Sequence, residues 1–286
     1  MSSDPPTQAS ETATDYHSAS PRAGGIEAGT RALLETLHRA AAGPYDAVAA
    51  GMLWGLDREI AGRRLRMLAE RGWLTRARHG LYWPVPLDGG SASTWTDDPW
   101  LLANRLYPTG YIGGWSACEH WSLTDQVFRD LMVFTPDRSA PRRATSGVTP
   151  IRVKVVRPDK IFGTRIAWRR STPVRVSDPT RTVVDLLDEP WTGGGIRHVA
   201  EAIAAYAASE HCDEALLVAY VERLGNRTVF KRLGYISETL GVGSPDLAAA
   251  CRARISSGVS LLDPSASANG PVTTKWNLRI NVGIGA

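Results

Sequence analysis

Between Asp57 and Gly72 the chain alternates its chemistry at helical spacing. Ala61, Leu65, Leu68 and Ala69 fall to one side, and Arg58, Arg63, Arg66 and Glu70 mostly to the other. This predicts a helix with one packing face and one free face. Asp57 can cap its start by accepting a hydrogen bond from a backbone N–H, and Gly72 can supply the left-handed residue that ends it. Trp73-Leu74-Thr75 and Leu81-Tyr82-Trp83 then read as a hairpin, with Arg76 to Gly80 as its turn. Upstream, Ala32, Leu33, Leu37 and Ala40 predict a first helix stopped at Gly43-Pro44. PYDAVAAGM predicts a short second helix with Pro44 near its start, and Gly51 to Leu56 a turn into Asp57. Helix, short helix, basic helix and hairpin follow one another in the order of a winged helix-turn-helix.

Beyond residue 97 the period changes repeatedly. DDPWLLANRLYP predicts a helix capped by Asp98 with Pro99 at its first position, and Trp115 to Trp121 a short Trp-rich helix that wedges into a core. Leu131 to Phe134, Thr149 to Val156, Arg165 to Arg169 and Pro173 to Val176 read as strands of a small, mostly antiparallel sheet. A helix from Asp178-Pro179 to Pro190, another over 196–209 and three more from Asp213 onward predict a bundle against that sheet, with late strands at 258–262 and 276–282. The expected fold class is α+β. An N-terminal winged helix-turn-helix domain over 26–86 precedes a larger α+β domain over 98–286 with a small sheet and a helical bundle. Residues 1–25 have almost no large apolar side chains and read as a disordered tail, and the small, polar segment 87–97 reads as a linker.

Composition fits this division. A chain of 286 residues with 43% hydrophobic content can bury two cores. Cys118, Cys212 and Cys251 are odd in number and lack metal-ligand spacing, so packed thiols in a reducing compartment are expected, with no disulfide framework. No secretory signal and no run of eighteen apolar residues is seen, which points to the cytoplasm.

Charge singles out the predicted helix and hairpin. From Arg58 to Gly80 there are seven arginines against two acids, an excess of five positive charges in a chain whose net charge is only +4. A helix of major-groove width carrying arginines, beside a basic hairpin, suits duplex DNA. The alternative is a solvated basic helix with no partner. The candidate DNA-binding residues are Arg58, Arg63, Arg64 and Arg66 at the major groove or its rims, with Arg76, Arg78 and His79 of the wing at phosphate or the neighbouring minor groove. Symmetric pairing of two copies on an inverted repeat is expected.

Other chemistry is weaker. Glu119, His120 and Asp125 lie close in sequence, but no nucleophile or metal partner recurs at fixed spacing, so His120 is expected to be structural. Gly193 to Gly195 precede a helix, yet match neither a Walker loop nor a dinucleotide fingerprint, and a plain turn is expected. Asp97, Asp125, Asp178 and Asp185 form no recognisable carboxylate set for a nuclease. No cofactor, metal or catalytic residue is expected.

The ordered motifs YIGGWSACEHWSLTDQ, LMVFT, VSDPTRTVVDLLDEPWTGGG and FKRLGY, behind a helix-turn-helix ending in GLYWPVP, resemble the AbiEi antitoxins of bacterial type IV toxin-antitoxin pairs. The resemblance covers roughly residues 28 to 262. It implies a DNA-binding antitoxin that represses its own operon. It also implies a functional partner, an AbiEii-type toxin with a nucleotidyltransferase fold, whose effect the antitoxin counters without the two having to touch. It assigns no catalytic residue. Apart from the resemblance, the residues also admit a ligand-responsive winged-helix regulator whose second domain senses a metabolite.

Overall fold

The computed structural model describes residues 27–40, 44–78, 80–85, 98–140, 143–146, 149–169 and 172–285. The expected tail, the expected linker over 87–97 and His79 lie outside the described residues.

The chain is α+β. Its N-terminal part runs α1 (Ala28–Ala40), α2 (Ala47–Trp54), α3 (Arg58–Glu70), β1 (Leu74–Arg78) and β2 (Leu81–Pro84). The buried stripe of α1 is Thr30, Leu34 and Leu37, and Ala32 is exposed. Helix α2 starts three residues later than Pro44. The Asp46 carboxylate caps it by accepting from the amides of Val48 and Ala49 at 3.0 and 2.8 Å, while Tyr45 is held extended by a two-way backbone bridge to Tyr82. Gly51 therefore lies inside α2, and the turn into α3 shortens to residues 55–57. Asp57 occupies the N-cap position of α3 without making a side-chain cap. Gly72, at φ +78, is the left-handed residue that follows the helix. The hairpin strand extends through Arg78, with an irregular register between Arg76 and Arg78, so the turn is tighter than five residues. Leu34, Leu37, Ala61, Leu65, Leu68, Leu74 and Tyr82 form the core of this part. Burial of each large side chain there stabilises it by about 1.5–3 kcal/mol.

The larger part opens with α4 (Pro99–Leu106), whose first turn Asp98 caps through the Trp100 amide at 2.9 Å. There follow β3 (Tyr111–Ile112), α5 (Gly114–His120), β4 (Leu131–Thr135), β5 (Arg143–Ser146), β6 (Thr149–Val155), β7 (Thr164–Arg169) and β8 (Thr172–Ser177). These strands form one six-stranded sheet in the order β5-β6-β4-β3-β8-β7. The β4–β6 and β3–β8 pairs are parallel and the β3–β4, β5–β6 and β7–β8 pairs antiparallel, so the sheet is mixed with antiparallel pairing in the majority, as expected. One face, with Leu131, Val133, Ile151, Val153, Val174 and Val176, packs on α4. On the other face Trp115 of α5 wedges against Tyr111, Met132 and Phe134.

Helices α6 (Pro179–Asp188), α7 (Ile196–Ala208), α8 (Glu214–Leu224), α9 (Arg227–Leu240) and α10 (Pro245–Arg254) form the bundle. Short strands β9 (Ser260–Leu261), β10 (Val272–Thr273) and β11 (Leu278–Arg279) make a three-stranded sheet beside it. The Trp276 ring lies directly on Gly234 of α9, where an added Cβ would sit 2.1 Å from Cζ3. Any larger residue at 234 would expel that ring from the core. Among the described residues no helix is long and apolar enough to cross a membrane.

Candidate nucleic-acid interface

Helix α3 is fixed from behind. Ala61, Leu65 and Leu68 are fully buried, which turns the opposite face to solvent. Arg58, Arg63, Arg64 and Arg66 are all exposed, and among the described residues none of them pairs with a carboxylate. Arg63 and Arg66 are three residues apart and so share a face, flanked one turn away by Glu59 and Glu70. Arg58 occupies the first turn of the helix, where a cation opposes the helix dipole. Its position is thus not explained by helix stability. With a Debye length of about 8 Å in physiological salt, neighbouring arginines on one helix act on a polyanion together.

Beside them runs an exposed apolar strip. Val48, Met52 and Leu53 of α2 and Ile60 of α3 are open to solvent, Met52 at 80%. Periodicity alone places these residues in no core, and their exposure emerges only once α2 is seen to continue past Gly51.

The hairpin is less free than its charge implies. Arg76 is exposed on β1, and Arg78 closes β1 in the backbone. All four residues of β2 are buried. Tyr82 faces the helix-turn-helix core, whereas Leu81 and Trp83 belong to the cluster of Trp100, Leu102, Leu131 and Val153 in the larger part. The wing is therefore seated between two cores. A run of three apolar residues, Leu81-Tyr82-Trp83, carries that signal, because a strand open to water on one face would alternate.

Of the carboxylates singled out in the sequence, Asp178 and Asp185 have structural partners, whereas Glu119 and Asp125 are exposed. Asp178 caps α6 through the Arg181 amide at 2.7 Å and accepts from the Tyr220 hydroxyl at 2.9 Å; burial, and then this hydrogen bond, push that phenol up to about 12. Asp185 receives Arg181 Nε at 2.9 Å and the Tyr111 hydroxyl at 3.0 Å, all three being buried. Burial works against the Arg181 cation, but the Asp185 charge and the Tyr111 hydroxyl outweigh it and hold the proton more firmly than usual. Asp97 lies outside the described residues. No group of three or more His, Cys, Asp or Glu among the described residues could hold a metal ion.

At the glycine run, the first amide of α7, that of Ile196, is already taken by Asp263 Oδ2 at 2.9 Å. A carboxylate of the chain itself thus occupies the place an anion would use. Burial raises the Asp263 pKa, but the Ser265 hydroxyl and the amides of Ile196 and Ser265 outweigh it and hold it below the usual carboxylate range. His120 sits between the rings of Trp100 and Trp121, at 5.1 and 4.6 Å. Burial and then Arg169 lower its pKa.

No protein-family model and no curated protein sequence matches this chain. Among solved structures it is similar to the crystal structure of the RV2827C protein from Mycobacterium tuberculosis, at 16% identity over 89% of this chain and 92% of that one, with a TM-score of 0.63. At that identity the likeness bears on the fold alone.

Proposed function

We propose that the chain binds double-stranded operator DNA through α3 and the neighbouring hairpin, and that it is the antitoxin of a type IV toxin-antitoxin pair that represses its own operon in the cytoplasm. The observation that carries the DNA reading is the set of exposed arginines on α3, Arg58, Arg63, Arg64 and Arg66, left without carboxylate partners among the described residues on the outer face of a helix-turn-helix. Arg63 and Arg66 face the major groove, Arg58 and Arg64 its phosphate rims, and Arg76 an adjacent phosphate. Ile60 and Met52 offer apolar contact to thymine methyl groups. The antitoxin reading is supported by the resemblance of the motifs in both parts to AbiEi proteins. The toxin it counters is an AbiEii-type nucleotidyltransferase.

Two experiments test this. Fluorescence anisotropy with the DNA upstream of the gene should give binding that weakens steeply with salt, and that the joint replacement of Arg63, Arg64 and Arg66 by alanine makes far weaker. Co-expression with the product of the adjacent reading frame should rescue cells from growth arrest. No rescue, or an adjacent frame without a nucleotidyltransferase, would remove the antitoxin reading and leave the DNA reading to stand alone.

A second reading, a ligand-responsive regulator, is favoured by one observation. A cavity of about 370 Å³ opens beside Trp100, in the cluster that seats the hairpin.

A further inference from the structure

The cavity lies between α4, α5 and the segment leading into β4. Trp100, His120 and Phe128 give it ring walls, Arg129 and Arg169 line it as cations, and Ser116 as a hydroxyl. At about 370 Å³ it is of small-molecule size, equal to roughly a dozen waters at ~30 Å³ each.

Several of its polar groups are unspent. Arg169 stacks on Trp100, with its guanidinium carbon 4.2 Å from the ring centre, and its Nε is buried with no hydrogen-bond acceptor. The nearest carboxylate, Asp98, stands 3.8 Å from that nitrogen, too far for a hydrogen bond. His120 makes ring contacts with two tryptophans and no hydrogen bond to a described residue. Ser116 accepts from the Met132 amide at 2.9 Å, which leaves its own hydrogen to give. Arg169 Nε is closed even to water, so an arriving acceptor meets Arg169 only through the part of its side chain that stays open, and finds the Ser116 hydrogen beside it.

Charge limits what that acceptor is. Asp130 is spent on Arg152, Asp98 stands within ion-pair distance of Arg169, and Glu119 also lines the cavity, so the two lining cations are largely offset. A group with one negative charge suits this lining better than one with two.

We propose that this cavity binds a small aromatic carboxylate. The ring lies among Trp100, His120 and Phe128, and the carboxylate accepts from Arg129, Arg169 and Ser116. Its occupancy changes the affinity of the chain for DNA, a part that rests on the function proposed above. The route is short: Trp100 and Leu131 line the cavity and also belong to the packed cluster containing Leu81 and Trp83 of β2. A ligand pressed on Trp100 therefore acts on the packing that sets the hairpin against α3.

The test is calorimetric titration of the full chain with naphthoate, with naphthol as the ring without the charge and acetate as the charge without the ring. Naphthoate should bind at least tenfold tighter than either. Arg129→Gln, a change at an exposed side chain that leaves the core intact, should weaken naphthoate at least tenfold without lowering the melting temperature. Naphthoate should also raise the melting temperature of the wild type and not that of the variant. Absent heats, or equal binding by wild type and Arg129→Gln, overturn the site. Titration of operator DNA with and without saturating naphthoate reads the coupling. An unchanged DNA affinity overturns the coupling and leaves the site. A chain that binds naphthoate but no DNA under any condition overturns the proposed function instead.

Discussion

Arginine is used in two opposite ways in this chain. On α3, four arginines are exposed and unpaired among the described residues, one of them at a helix N-terminus where the dipole disfavours it. In the larger part, Arg181 and Arg232 are 1% and 3% exposed. Arg181 is held by Asp185 and Tyr111. Arg232 donates from Nη1 to the carbonyls of Leu187 and Asp188 at 2.7 and 3.0 Å, at the C-terminal end of α6 where a cation is favoured. The buried pair bonds only to the chain itself and is closed to any outside partner. The exposed set contributes little to the fold and has its charge free for a polyanion. Counting arginines along the chain cannot separate these roles, whereas asking what each guanidinium touches does.

Breaking the comparison begins with the largest effect. Arg181→Met strands Asp185 without its partner in the core and should cost about 3–5 kcal/mol in a urea melt. The fraction that remains folded should bind operator DNA as before, because Arg181 is remote from α3. Next comes the double variant Arg63→Ala, Arg66→Ala. Truncating an arginine that reads a base should weaken operator binding by roughly 1–3 kcal/mol per side chain, as measured by anisotropy. Thermal stability should move by no more than about 0.5 kcal/mol. A large loss of stability in this variant would erase the distinction.

Asp263→Ala removes the carboxylate at the start of α7 and should cost about 0.5–2 kcal/mol. Because the folded pKa of Asp263 lies below its ordinary 3.8, the stabilisation is complete above that value and is lost as pH falls through the folded pKa. The gap between wild type and variant in chemical melts should therefore be constant at neutral pH and close on the acid side. The smallest effect is expected at Arg157, whose pair with Asp159 leaves both side chains more than half exposed. Arg157→Ala should change stability by about 0–1 kcal/mol and DNA binding not at all.

The course of the chain explains what can be read without coordinates. Helix α3 is legible because its apolar stripe is local and its start and end carry their own signals at Asp57 and Gly72. The full length of α2 is not, because Gly51 looks like a turn residue and only packing in the helix-turn-helix core overrides that preference. The parallel β3–β8 pair is equally hidden. Tyr111–Ile112 is two residues long, and its partner Val176 lies far along the chain. The second face of the hairpin, the Asp263 cap of α7 and the cavity beside Trp100 share this reason. Each is assembled from residues far apart in sequence, and no period or spacing announces them.

The central claim is that unpaired arginines on α3 carry DNA binding, and one titration tests it most directly. The full chain and its Arg63→Ala, Arg64→Ala, Arg66→Ala variant are titrated on the DNA upstream of the gene at a series of salt concentrations. The wild type should lose affinity linearly on a log-log plot. The variant should bind far more weakly, with a slope shallower by about one unit for each phosphate partner removed, and with an unchanged melt. Equal affinities and equal slopes for the two proteins would contradict the account.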